Sequence, residues 1–102
     1  MELKVKRLDP GIPMPRYAKP GDAGFDLRAT KGVAINPGET VMVGTGLAVE
    51  IPVGHVGLVF PRSGLASKKG VNLANCVGVV DSGYRGEVKL PLHNAGRDAV
   101  YV

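Results

Sequence analysis

Fifteen glycines and eight prolines divide this chain of 102 residues into apolar runs only a few positions long. That punctuation leaves little room for a helix, since isolated helices need about 12–15 residues to become stable. Short runs rich in valine, leucine and isoleucine, bounded by turn residues, read as strands. The chain is therefore expected to be all-β, built as a sandwich, jelly roll or barrel. A chain of 102 residues suits a single domain with one modest core.

Residues 3–8 alternate charged and apolar side chains, the pattern of an edge-like strand. Residues 9–22 hold four prolines and two glycines and read as an extended loop or arm, because proline fixes φ and lacks an N–H. Strands are expected over 23–29, 32–35, 40–51, 55–60 and 86–93. Within 40–51, Val41, Val43, Thr45, Leu47 and Val49 share one face, interrupted by Gly44 and Gly46. Residues 65–69 can form one helical turn and no more. Residues 77–80 and 87–90 flank Asp81-Ser82-Gly83 and read as a β-hairpin with Asp81 at the end of its first arm. Residues 99–102 begin a last strand, either a terminal edge or the sign of a polypeptide cut short.

The formal net charge is +4, with the basic residues spread along the chain. No interleaving of aromatic and basic residues marks a nucleic-acid surface, so no stable nucleic-acid binding is expected. A small polyanion such as a nucleotide suits this charge, and so does an ordinary solvated surface. No apolar stretch is long enough for a membrane span, and the first residues lack a signal-peptide core. One cysteine, Cys76, excludes an internal disulfide and suits a reducing compartment, so a cytoplasmic location is expected.

Several residues carry candidate chemistry. Asp81 puts a carboxylate at the mouth of the expected hairpin, with Tyr84 three positions on, which suits a small-molecule site; Asp-Ser-Gly is also ordinary turn chemistry. Arg62-Ser63-Gly64 offers a guanidinium, a hydroxyl and a glycine N–H in one turn, an anion cradle or a turn closed by Ser63. Asp26 lies in an apolar run, where an inward carboxylate needs a partner, water or a metal; facing outward it could pair with Arg28. Cys76 reads as packing more readily than as a nucleophile, and His55 and His93 lack metal-ligand spacing. No phosphate-binding P-loop, dinucleotide fingerprint or zinc pattern occurs.

Three motifs stand in a specific order: A-G-F-D-L at 23–27, P-R-S-G-L-A at 61–66 and G-V-V-D-S-G-Y-R-G at 78–86. Together with R-L-D-P-G-I-P-M-P-R-Y-A near the start and P-G-E-T-V-M-V-G-T-G-L-A-V-E-I-P, they resemble the trimeric dUTPase family over essentially the whole chain.

The resemblance implies a jelly-roll-like β-clip fold, a homotrimer with three shared active sites, and Mg2+-dependent hydrolysis of dUTP to dUMP and pyrophosphate. It implies that Asp81 holds and activates the attacking water, and that Tyr84 packs against the deoxyribose and excludes a 2′-hydroxyl. Asn75 and the backbone of Cys76, Gly78 and Lys89 would line the uracil slot. Arg62, Ser63 and Gly64 would meet the phosphates, and Asp26 would hold a magnesium-bound water.

The family's fourth motif, of the type G-x-R-I-A-Q, and its fifth, an Arg- and Gly-rich arm, do not occur in residues 1–102. The expectation is a single dUTPase-like domain over 1–102, incomplete at its C-terminal side and lacking the last strands and arm. Two other functions stand beside dUTP hydrolysis. A module that binds nucleotide or protein without turnover would follow from the missing motifs. A deaminase of the dCTP deaminase group should carry a glutamate base and an Arg-Ser-Ser motif, where this chain has Asp81, Tyr84 and one serine after Arg62.

Overall fold

The structure is a computed structural model that describes residues 1–75 and 77–102. Among the described residues nine strands follow in order: β1 (Lys4–Arg7), β2 (Ala34–Ile35), β3 (Thr40–Gly44), β4 (Leu47–Glu50), β5 (Gly57–Val59), β6 (Val71–Leu73), β7 (Gly78–Val80), β8 (Lys89–Asn94) and β9 (Val100–Tyr101). Among the described residues the only helical segment is one wide turn, Leu65–Lys69, between β5 and β6. All pairings are antiparallel: β1 with β4, β2 with β9, β5 with β7, and a three-stranded sheet in the order β3-β8-β6.

Turn chemistry sets where strands stop. Residues 36–39 close on themselves, with the Glu39 N–H donating to the Asn36 carbonyl at 3.0 Å and Gly38 at φ 81°. Gly54, at φ 84°, turns the chain toward β5. The core centres on Val49, Ile51, Val80 and Val88, with Leu3, Val5, Leu27, Val59 and Leu90 packed around them. Between the sheets an open, largely apolar cavity of about 960 Å³ is lined by such residues as Leu3, Val49, Ile51, Val71, Leu73 and Val102.

Three expectations change. The run 40–51 is two strands, because Gly46 takes φ 69° and turns the chain from the β3 partner, β8, to the β4 partner, β1. Buried Thr45 secures this corner by donating its hydroxyl to the Val88 carbonyl at 2.7 Å. The 77–90 hairpin does not form: β7 pairs with β5, while β8 pairs with β3 and β6, so 81–88 is a crossing between sheets. Residues 23–29 keep alternating burial, with Phe25, Leu27 and Ala29 half-buried, but have no strand ladder in the described structure. The final strand does have a partner, since Val33 and Val102 exchange backbone hydrogen bonds of 3.0 and 2.8 Å.

The helical turn ends at Gly70, at φ 73° and ψ 18°, where an added Cβ would lie 2.7 Å from the Gly96 nitrogen. Left-handed strain and a backbone clash combine there, so Gly70→Ala is expected to cost about 2–3 kcal/mol. Urea denaturation of the two chains measures it.

Candidate active site

The crossing from β7 to β8 makes the site. β7 ends at Val80, so Asp81 leaves the sheet with its carboxylate exposed. The chain then folds tightly: the Tyr84 N–H donates to the Asp81 carbonyl at 3.1 Å, and Arg85 Nη1 donates to the Ser82 carbonyl at 2.6 Å. The Tyr84 hydroxyl donates to the Glu87 carbonyl at 2.7 Å, which fixes the far end of the ring. Glu87 in turn ties the loop to the β3–β4 corner, where its Oε2 accepts from the Gly46 N–H at 3.0 Å.

A cleft of about 240 Å³ opens against this loop. Asn75, Gly78, Asp81, Tyr84 and Lys89 line it together, with Val59, Val88 and Leu90 as apolar walls. One side carries residues of β7 and the other residues of β8, so two sheets contribute to one cleft. Such a cleft combines a carboxylate, an aromatic ring, an amide and a lysine among apolar walls, a chemistry suited to a small polar ligand. The larger apolar cavity, by contrast, has buried core side chains such as Val49, Ile51, Val71 and Leu73 in its wall beside many partly or fully exposed residues, and its charged members include Asp26, Arg28 and Arg62.

The remaining candidates sit elsewhere. Asp26 pairs with Arg62, Oδ1 to Nε at 3.7 Å, and not with Arg28; both partners are well exposed. Exposed pairs of this kind contribute little to stability. Neither Asp26 nor Arg62 lines the smaller cleft, and Ser63 and Gly64 line neither cavity. Cys76 lies outside the described residues. His93 bonds Thr40 within the sheet at 2.8 Å, apart from the cleft. Glu87 is a cleft residue that sequence reasoning passed over as the start of a strand. Its signal was an acid at the head of the alternating stretch Glu87-Val88-Lys89-Leu90.

Magnesium, as the resemblance implies, takes one or two carboxylates, with waters and substrate phosphates completing its shell. The exposed Asp26 carboxylate is suited to accept a hydrogen bond from a magnesium-bound water. No cluster of three or more His, Cys, Asp or Glu that could cage a metal occurs among the described residues.

The architecture defines an all-β protein of the β-clip, jelly-roll type with a cleft between two sheets. A dUTPase family model matches residues 11–102, and the chain belongs to the dUTPase family. It is 59% identical over 92 residues to the deoxyuridine 5'-triphosphate nucleotidohydrolase of Nocardia farcinica, covering 90% of this chain and 56% of that protein. For the same enzyme of Rhodococcus erythropolis the identity is 54% over 94 residues, covering 92% and 57%. The chain thus spans somewhat more than half the length of these relatives.

Solved structures agree. A mutant dUTPase of Staphylococcus bacteriophage 80alpha with dUpNHpp superposes with a TM-score of 0.86 at 33% identity, covering 94% of this chain and 61% of that one. A mutant dUTPase of phage phi11 of S. aureus, described with a structural Mg(II) ion, gives the same score, identity and coverage. Among the described residues no helix is long and apolar enough to cross a membrane.

Proposed function

We propose that this chain serves in the hydrolysis of dUTP to dUMP and pyrophosphate, by attack of water on the α-phosphorus. The observation that carries this reading is the convergence of Asn75, Gly78, Asp81, Tyr84 and Lys89 on one cleft within a dUTPase fold. Asn75 and the backbone at Gly78 and Lys89, with that of Cys76, hold the uracil edge. A base read through hydrogen bonds is separated sharply from one with the wrong donor pattern. Asp81 accepts the proton of the attacking water. Tyr84 stands against the sugar and leaves no space for a 2′-hydroxyl.

Arg62, Ser63 and Gly64 meet the phosphates, and Asp26 holds a water of the Mg2+ shell. Bound magnesium would offset the charge of the triphosphate. Asp26 and Arg62 do not line the Asp81 cleft, and membership of the dUTPase family supports a homotrimer whose sites draw on neighbouring copies. A cytoplasmic location accords with the single cysteine.

The direct test is pyrophosphate release from dUTP with Mg2+, with dCTP and UTP as controls. Release from dUTP well above both controls is expected. Absence of both release from dUTP and preferential binding of it would overturn the reading.

A further inference from the structure

The segment 84–87 contains a steric arrangement that no motif assigns. An added Cβ at Gly86 would meet three atoms of one side chain, the Tyr84 ring: the hydroxyl at 2.7 Å, Cζ at 2.9 Å and Cε1 at 3.2 Å. Gly86 is absent from the glycines with positive φ, so its backbone does not itself demand glycine. The constraint on this position is contact with the tyrosine.

That contact completes a clamp. The Tyr84 hydroxyl reaches past Gly86 to the Glu87 carbonyl, and Glu87 is anchored to the Gly46 N–H. The ring is about half exposed, so a side chain at 86 would not break the fold; it would swing the ring outward, toward solvent. Gly83, in the same loop, has nothing within 4 Å of a would-be Cβ.

We infer that Gly86 is a positioning residue for Tyr84: lacking a Cβ, it lets the ring settle against the backbone and thereby sets deoxyribose-against-ribose discrimination. The inference rests on the role proposed for Tyr84 and assigns the feature that holds that residue in place.

The test measures binding of the α,β-imido analogues of dUTP and UTP, with Mg2+, to the parent chain, Gly86→Ala, Tyr84→Ala, the double variant and Gly83→Ala. Gly86→Ala should lower the deoxy-to-ribo affinity ratio by about tenfold or more, within the range expected for one steric mismatch. Its melting temperature should stay near the parent's. Adding Gly86→Ala to Tyr84→Ala should change the ratio no further, because the glycine acts only through the ring. Gly83→Ala should retain the parental ratio.

A parental ratio in Gly86→Ala, alongside a lowered one in Tyr84→Ala, would overturn the inference. A parent chain with no deoxy preference would instead sink the gate role of Tyr84, and with it the selectivity claim made for Gly86. The ring's placement is judged separately by NMR of the free chains. Tyr84 ring signals should move in Gly86→Ala and not in Gly83→Ala, and unmoved signals would overturn the positioning claim.

Discussion

Asp81→Asn is expected to bind the α,β-imido analogue of dUTP about as the parent does and to release pyrophosphate from dUTP roughly 10²–10⁴ times more slowly, the usual range for loss of a general base. The substitution is nearly isosteric. The loop bond at this position uses the Asp81 backbone carbonyl, which accepts from the Tyr84 N–H, so the side-chain change leaves it in place. What disappears is the ability to take a proton from water. Single-turnover pyrophosphate release and equilibrium binding separate the two effects. Turnover within a few-fold of the parent would remove Asp81 from the proposed mechanism.

The largest effect on stability is expected at Asn94, which is fully enclosed at the end of β8. Its Nδ2 donates to the carbonyls of Ile35 and Asp98, both at 2.8 Å, and its Oδ1 accepts from the Gly96 N–H at 2.9 Å. One side chain thereby joins β2, β8 and the loop leading to β9. Asn94→Leu keeps the volume roughly constant and leaves three backbone groups without partners. At about 1–3 kcal/mol for each buried group, tempered where water can reach, the expected loss is about 3–5 kcal/mol. For a chain of this size that is a fall in melting temperature of roughly 15 °C or more. A fall under about 5 °C would mean that water or rearrangement satisfies those groups.

Most strand positions were readable because glycine and proline fix where each run must end, and the period of two says which side chains share a face; β6 was not among the expected strands, and 23–29, which was, forms no ladder. Pairing was not readable by the same means. The alternation expected over 40–51 holds in β3 but not in β4, where Leu47, Ala48 and Val49 are all buried, and nothing in that pattern shows that Gly46 takes a positive φ and hands the chain to another partner. Likewise Asp81-Ser82-Gly83 does turn the chain, but turn chemistry does not say whether the flanking strands meet each other. Here each finds a more distant neighbour.

The cleft divides in the same way. Asn75, Gly78, Asp81 and Tyr84 fall within ten positions, so local motif reading gathers them. The Asp26–Arg62 pair spans two distant loops, and alternation along 23–29 pointed to Arg28 because it sees only near neighbours. Gly86 looked like the approach to a strand; its relation to Tyr84 depends on how the tyrosine side chain folds back, which sequence spacing does not encode.

The crossing between β7 and β8 has a consequence for how such a cleft can be tuned. Its opposing walls are carried on separate sheets, so its aperture is a measure of how far apart those sheets ride. Val80 and Val88, at the two roots of the crossing, belong to the central core. A methylene gained or lost beneath them would act like a shim under a caliper jaw. Ligand fit can therefore drift through changes at residues no ligand touches, while every contact residue stays the same.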